Sequence, residues 1–201
     1  MRKATLVLLC LGALGAVGAC QTSAMAIQSR AKEWSPPRVA SHEIQRSPCS
    51  VSVGTYVRLP ASGISQFVGR RVGYALVTVG NGTYPAKSVD GGRRWHVAGP
   101  MLHQNAAQGG AGVGVINVEG PDVALAWGGI TPDGVIDWTT DGGAKWFTVR
   151  LPGLVLYVGG EGGTLVANIY GSVRQGTTTH SGLWAYRANA GGSWSYLGKI
   201  S

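Results

Sequence analysis

The stretch SVDGGRRW, residues 88–95, decides the fold because the chain repeats its plan twice. TTDGGAKW occupies residues 139–146, and a looser copy, RANAGGSW, occupies residues 187–194. The three closing tryptophans are 51 and 48 residues apart. In each unit of that length, two short apolar segments come first, a third leads into the motif and a fourth leaves it. These segments are rich in Val, Ile, Tyr, Trp and Thr and are separated by glycine-rich turns, a pattern that predicts β-strands.

The residue types of the motif are those that a tight turn requires. A turn aspartate, here Asp90 or Asp141, accepts hydrogen bonds from backbone N–H groups downstream of it. Gly92 and Gly143 can adopt the positive φ angles that side chains disfavour. The closing tryptophan can bury a large apolar area beside the turn. The motif is therefore predicted to turn the chain and stabilise the fold, and not to carry out chemistry.

Four short antiparallel strands per repeat of about 50 residues are typical of a β-propeller blade. The motif resembles the Asp-box, or BNR repeat, Ser/Thr-x-Asp-x-Gly-x-x-Trp, of sialidases and of many non-enzymatic propellers, including photosystem-assembly factors. In the third copy, Arg187 replaces the hydroxyl residue and an asparagine replaces the acid. The residues that carry the resemblance are Ser88, Asp90, Gly92, Trp95, Thr139, Asp141, Gly143, Trp146, Asn189, Gly191 and Trp194.

The resemblance and the strand pattern together predict an all-β domain over residues 48–201. We expect a propeller-like array of about three four-stranded antiparallel blades, which is a partial propeller. In the family, Asp-boxes lie at the propeller periphery, away from the ligand site. The resemblance therefore implies a fold and does not imply an activity.

Residues 1–19 are typical of a secretory signal peptide, with Arg2 and Lys3 followed by an apolar run and then by small residues. Val17-Gly18-Ala19-Cys20 resembles the bacterial lipobox, which implies lipidation of Cys20 and a membrane-anchored lipoprotein of the cell envelope. The alternative is a secreted or periplasmic protein that is cut after Ala19 or Ala26. Residues 20–47 show no strand or helix periodicity and are predicted to be the lipidated N-terminus and a flexible tether.

The chain carries a net charge of +8, but its cations are scattered. Only Arg70-Arg71 and Arg93-Arg94 are adjacent pairs in the predicted domain. Nucleic-acid-binding proteins usually cluster their cations, so no nucleic-acid partner is expected. A basic surface near anionic envelope polymers or lipids is the favoured interpretation. The histidines and cysteines lack metal-ligand spacing, so no metal or other cofactor is expected.

Additional aromatic residues on the second and third strands of the repeats have two interpretations. Exposed at the rim, Trp127, Trp138 and Trp184 would be candidates for stacking on a ligand. Buried, they would pack between blades, as aromatic residues in propeller strands more often do.

A sialidase would need, by the family resemblance, three arginines on the sugar carboxylate, a Tyr/Glu nucleophile pair and an aspartic acid/base. Arg58 in YVRLP resembles the clamp strand of that family only superficially, because TVRLP at residues 148–152 is nearly the same string. The sequence therefore favours a membrane-tethered, non-enzymatic propeller module that binds a protein or an envelope polymer. The alternative is a degenerate or partial sialidase-like or glycosidase-like propeller that acts on or binds glycans.

The segment SVGTYVRLP, residues 52–60, resembles the fourth strand KWFTVRLP of the second repeat. It is predicted to be a lone outer strand of a further blade whose other three strands are missing. The terminal blades would then each present an apolar face without a neighbour, which repeat proteins cap or pair. We expect either self-association into a homo-oligomer or a truncated, marginally stable product of a longer ancestor.

Overall fold

A computed structural model describes the chain over seven segments. These segments contain no helix, and therefore no helix that could cross a membrane. The signal peptide, Cys20 and Gly191 lie outside the described residues. Residues Ser35–Ser201 form one compact unit. The described segments are residues 35–48, 50–60, 63–103, 115–128, 134–161, 164–189 and 192–200.

All regular structure in these segments is β-strand, as the sequence predicts. The strands are β1 (Val39–Ala40), β2 (His42–Glu43), β3 (Tyr56–Val57), β4 (Ser65–Val68), β5 (Val72–Val79), β6 (Gly82–Ser88), β7 (Trp95–Val97), β8 (Val115–Val118), β9 (Ala124–Trp127), β10 (Gly134–Thr139), β11 (Phe147–Leu151), β12 (Leu154–Glu161), β13 (Thr164–Gln175), β14 (Thr178–Ala188) and β15 (Ser193–Lys199).

The strands form three antiparallel sheets that follow the three sequence repeats. Sheet I has the order β3-β7-β6-β5-β4, sheet II the order β2-β11-β10-β9-β8, and sheet III the order β1-β15-β14-β13-β12. Each sheet therefore contains the four consecutive strands of one repeat, and the motif lies between the third and the fourth of them. The all-β class is confirmed. The strand number differs from the prediction, because every sheet has five strands instead of four.

The fifth strand of every sheet comes from the N-terminal part of the chain, residues 39–48 and 50–59, which we call the strap and which contains β1, β2 and β3. Val39 lies opposite Trp194 in sheet III, and Glu43 lies opposite Phe147 in sheet II. The sequence predicts a flexible tether up to residue 47, but paired strands begin at Val39. The physical reason is the outer edge of each fourth strand, whose backbone N–H and C=O groups need partners.

The strand near residue 56 also differs from its prediction. Tyr56 and Val57 pair with His96 and Trp95, so β3 completes sheet I and does not begin a further blade. The similarity of its sequence to a fourth strand correctly predicted a strand. Sequence similarity alone does not determine which sheet edge that strand pairs with. Strap residues near it cover one apolar face of sheet I, where Val57 packs against a buried cluster that includes Trp95.

The core lies between successive sheets. The second face of sheet I, represented by Tyr74, packs against Ile116 and Ala126 of sheet II. The opposite face of sheet II packs against sheet III, where the rings of Trp138 and Trp194 meet edge to face with centroids 6.5 Å apart. Sheet I therefore contacts sheet II, and sheet II contacts sheet III, in the order of the repeats.

Candidate functional site

The first motif copy, residues 88–95 (box 1), is a hydrogen-bonded turn between β6 and β7. The Ser88 hydroxyl donates to Asp90 Oδ1 at 2.9 Å and accepts from the Gly92 N–H at 2.9 Å. The Arg94 backbone N–H and Nε donate to the two oxygens of the Asp90 carboxylate at 3.0 and 2.9 Å. These hydrogen bonds from Arg94 hold the pKa of Asp90 well below its usual range. The carboxylate of box 1 is therefore engaged within its own turn.

The second copy, residues 139–146 (box 2), repeats this geometry between β10 and β11. The buried Thr139 hydroxyl donates to Asp141 Oδ1 at 2.9 Å and accepts from the Gly143 N–H at 3.1 Å. The Lys145 N–H donates to the same carboxylate oxygen at 2.9 Å. Desolvation raises the pKa of Asp141, but the hydrogen bonds from Lys145 and Thr139 outweigh it and leave the pKa lowered. The hydrogen bonds that the sequence predicts for both aspartates are present.

Two glycines in each of these turns have positive φ. Gly92 and Gly143, which the motif singles out, have φ of 83° and 97°. A Cβ at Gly143 would also collide with the carbonyl oxygen of Ala98 in sheet I. The second box therefore needs glycine both for its backbone conformation and for close contact with the neighbouring sheet.

The third copy, residues 187–194 (box 3), uses its amide in the opposite sense. Asn189 Nδ2 donates to the Ser195 hydroxyl at 2.7 Å and to the Ser193 carbonyl at 3.1 Å. The Asn189 N–H also donates to the Ser193 carbonyl at 2.7 Å. A carboxylate cannot donate in this way, so the asparagine stabilises a different version of the same turn.

The closing tryptophans of the three boxes are buried. Trp95 is 5% exposed, and Trp146 and Trp194 are fully buried. Trp146 Nε1 donates to the Ala98 carbonyl of sheet I at 3.0 Å. The box tryptophans therefore belong to the cores within and between sheets.

The three aromatic candidates for ligand stacking are also buried. Trp127 and Trp138 are each 7% exposed, and Trp184 is 3% exposed. Trp138 packs against Phe147 with ring centroids 5.1 Å apart and against Trp194. Their burial corrects the interpretation as exposed stacking residues, and for Trp138 the contact with Trp194 supports the alternative, packing between sheets. Burial of the large apolar indole stabilises the fold more than exposure at the rim would.

The sequence reasoning missed a buried acid. Asp137 on β10 is fully buried in sheet II. Its Oδ2 accepts from the His103 backbone N–H at 2.8 Å, and its Oδ1 lies 3.5 Å from His103 Nδ1. The facing carboxylate raises the pKa of His103, against the opposing effects of desolvation and of Arg150. The available signal was an acid in the middle of the apolar strand GVIDWT.

The fold also brings the two adjacent arginine pairs together. A hollow of about 440 Å³ beside box 1 is lined by Arg70, Arg71 and Arg93, together with Asp90 and Gly91 of the box. All three arginines are exposed. Arg70 and Arg71 lie in the turn between β4 and β5, whereas Arg93 lies in the turn between β6 and β7. The sequence shows both arginine pairs, but it does not show that these two turns meet.

A second basic hollow of about 310 Å³ lies next to the first, between boxes 1 and 2. Its polar lining includes Arg46, Lys87 and His96. Val89 lines the second hollow and the next residue, Asp90, lines the first, so the two hollows flank the same turn. Together they form the candidate functional site of the described chain, which we call the basic edge.

Among the described residues, no three His, Cys, Asp or Glu side chains are grouped so that they could hold a metal ion. The basic edge instead presents exposed arginines from the β4–β5 turn, from box 1 and from the strap. In comparisons with known proteins, no family model, no curated protein and no solved structure matches this chain.

Proposed function

We propose that this protein is a membrane-tethered, non-enzymatic propeller module that binds an envelope polymer or a protein. The observation that carries the proposal is the basic edge, where exposed cations from three separate parts of the chain line two adjacent hollows. Box 1, which carries Arg93, is hydrogen-bonded within itself and to the turn that carries Arg71, which supports a preformed binding surface. The proposal rests on this surface, since the box carboxylates are already engaged within their turns.

The partial-propeller interpretation is supported by three sheets that pack in the order of the repeats. Four strands of each sheet are consecutive in sequence, which is how propeller blades are built. The Ser/Thr, Asp, Gly and Trp geometry of boxes 1 and 2 supports assignment to the Asp-box type of repeat.

The arrangement of acids supports binding over hydrolysis. Glycosidases hold two carboxyl groups on either side of the bond that breaks. Here each acid whose side chain the structure describes engages a polar partner of its own. These pairs are Glu43 with Lys145 Nζ, Asp90 with Arg94, Glu119 with Asn117, Asp122 with Lys87, Asp137 with His103, and Asp141 with the Lys145 N–H.

Membrane tethering through Cys20 is the second component of the proposal. The strap begins at Val39, so 18 residues separate it from the cysteine. That length spans at most about 60 Å when extended. A diacylglyceryl group on Cys20, joined by a further acyl chain, would supply the multiple chains that stable anchoring needs.

Self-association is a third component, through the outer face of sheet III. The β12–β13–β14 pairing places Leu154, Tyr170 and Leu183 in one row of that face and Tyr157 in the next. Tyr170 is 59% exposed and Tyr157 is 48% exposed.

The other end of the sheet series explains why we propose that this face binds the same face of a second copy of the chain. There the strap residues Val51, Val57 and Leu59 already cover the apolar face of sheet I. Head-to-tail association, sheet III onto sheet I, is therefore blocked. A two-fold contact between two sheet III faces stays open.

The proposed function is tested by crosslinking the full chain in native membranes and identifying what is captured, with Cys20→Ser as the matched variant. We expect the wild type to fractionate with membranes and to capture a reproducible envelope component. Release of sugar from fluorogenic glycosides would instead favour the alternative, a glycosidase-like propeller. Soluble behaviour of the wild type without a reproducible partner would contradict the proposal.

A further inference from the structure

A backbone hydrogen bond joins the two turns that carry the arginines of the first hollow. The Gly91 N–H of box 1 donates to the Arg71 carbonyl at 3.0 Å, which joins the β4–β5 turn to the box. Gly91 has φ of 74°, and a Cβ there would lie 3.0 Å from the Arg70 carbonyl oxygen. The two turns are therefore in close contact, and their side chains project around one hollow.

The net charge of this hollow is strongly positive. Asp90 is the acid in its lining, and the Arg94 guanidinium already pairs with it at 2.9 Å. Arg70, Arg71 and Arg93 form no salt bridge with any other described residue. Three guanidinium groups are therefore left to bind an anion from outside the chain.

The second hollow adds the exposed guanidinium group of Arg46 across the box turn. Lys87 also lines it, but its ammonium group donates to the Gly142 carbonyl at 3.3 Å and pairs with Asp122 at 3.6 Å, so its charge is already balanced within the chain. Arg46 and His96, both exposed, complete the polar lining. The exposed Val89 separates the two hollows, so a ligand that fills both must be long enough to cross one turn.

We infer that the basic edge binds successive phosphate groups of an anionic, phosphodiester-linked envelope polymer, an inference that rests on the binding function proposed above. Guanidinium groups match phosphate oxygens in two-point hydrogen bonds, and clustered arginines are the usual means of holding phosphate. Two neighbouring hollows suit a ligand whose charge repeats along its length. Multiple contacts of this kind give affinity that falls steeply with salt.

The lining favours such a polymer over two other phosphate-bearing partners. Single-stranded nucleic acid is usually held by aromatic platforms on which bases stack, and no Phe, Tyr or Trp among the described residues lines either hollow. A bilayer offers a broad plane of headgroups, whereas the arginines here surround concave spaces. Both partners are therefore outcomes that the experiment must separate from the inference.

The experiment measures binding of fluorescein-labelled inorganic polyphosphate to the full chain in mild detergent, by fluorescence anisotropy. The test variant carries Arg70→Gln, Arg71→Gln and Arg93→Gln. The matched control carries Arg58→Gln, Arg174→Gln and Arg187→Gln, which removes three charges from exposed sites elsewhere. We expect Kd to rise about tenfold or more in the test variant and less than about threefold in the control. The slope of log Kd against log salt concentration should fall by about one for each phosphate contact that is lost.

Several results would overturn the inference. Equal weakening in both variants would show that net charge, and not the basic edge, binds the probe. No binding by the wild type, or tighter binding of single-stranded DNA than of polyphosphate, would reject an envelope phosphate polymer. Selective loss of binding to phosphatidylglycerol vesicles, with polyphosphate binding retained, would assign the edge to a membrane surface.

The same variants separate this inference from the proposed function. A test variant that melts at the wild-type temperature and still captures the native membrane partner would leave the binding function standing. The basic edge would then not be the site. Loss of both polyphosphate binding and partner capture, at unchanged stability, supports the two proposals together.

Discussion

Trp146 donates its indole N–H to the carbonyl of Ala98 at 3.0 Å, although Ala98 follows β7 of sheet I and Trp146 precedes β11 of sheet II. The indole is fully buried, and Ile44 of the strap belongs to the same apolar cluster. The Ile44 N–H also donates to the Trp146 carbonyl at 2.8 Å. One box tryptophan thus links the end of sheet I, the start of β11 in sheet II and the strap.

The first prediction concerns this indole. Trp146→Ala should destabilise the fold by about 3–5 kcal/mol because a large buried side chain is lost and a cavity remains. Trp146→Phe should cost less, about 1–3 kcal/mol, because it retains packing but leaves the Ala98 carbonyl without its donor. Urea denaturation gives both values. Leu156→Ala, at a residue that is 52% exposed, is the control and should stay within about 0.5 kcal/mol of the wild type. Equal effects of all three changes would contradict an inter-sheet role.

The second prediction concerns Gly99, which lies in close contact with the Trp146 indole. A Cβ at Gly99 would collide with the Trp146 ring and would lie 2.8 Å from Pro85. Gly99→Ala should therefore destabilise by about 1–3 kcal/mol through overpacking. Gly198→Ala is the matched control, since a Cβ there meets nothing within 4 Å. A thermal melt distinguishes them, and a wild-type melt for Gly99→Ala would mean that the two sheets are farther apart than the structure shows.

The box turns and the strands could be predicted from the sequence because their determinants are local. Asp90, its hydroxyl partner Ser88 and the glycine at 92 lie within five residues of one another, so spacing alone specifies the turn. Alternating apolar residues and flanking glycines likewise specify strands such as β5 and β6 without knowledge of their partners.

The strap and the basic edge could not be predicted, because both depend on contacts between distant residues. Val39 pairs with Trp194 at the opposite end of the chain, and nothing near residue 39 encodes that partner. Similarly, Arg71 and Arg93 converge because two turns of sheet I meet. Trp138 was ambiguous for the same reason, since period-two alternation does not say whether a neighbouring sheet covers a face.

The third prediction concerns acid stability. The pKa of Asp141 is lower in the folded chain than its ordinary value near 3.8, so folding is stabilised above that pH. This contribution should be lost as pH falls from about 4 through the lower folded pKa. Asp141→Asn should cost about 1 kcal/mol at pH 7, since the residue is largely exposed and solvent screens the charge. In this variant the free energy of unfolding should also fall less steeply as the pH is lowered below about 4. An unchanged acid limb in urea titrations from pH 2 to 7 would argue against the box hydrogen bonds.

The fourth prediction concerns the exposed His103 and the buried Asp137 of sheet II, which it faces. Asp137 raises the pKa of His103 above its ordinary value near 6.5, whereas Arg150 opposes the shift. The pair therefore stabilises the fold fully below pH 6.5, and this stabilisation is lost as pH rises through the folded pKa. We expect the melting temperature to fall between pH 6 and pH 8, and His103→Gln to reduce that slope. His180→Gln, at the distant end of β14, is the control and should retain the slope.

The fifth prediction concerns the exposed face of sheet III. Tyr157 and Tyr170 lie on one side of the β12–β13 pair, where the apolar neighbours Leu154 and Leu183 extend the surface. If two copies meet through this face, Tyr157→Glu combined with Tyr170→Glu should abolish the dimer, because four carboxylates would be placed in one desolvated contact. Sedimentation velocity of the full chain in detergent, across a range of protein concentrations, measures the association.

The matched control for the fifth prediction is Tyr56→Glu, at a tyrosine that is 58% exposed on the strap of sheet I. It adds a charge to an aromatic site at the other end of the sheet series and should leave the dimer intact. A monomeric wild type at all concentrations would reject the two-fold contact. Dissociation by Tyr56→Glu alone would move the interface to sheet I, where the strap would then have to separate from the apolar cluster around Trp95. Because that separation exposes several buried side chains, it should also lower the melting temperature, whereas loss of a sheet III contact should leave the fold of each copy unchanged.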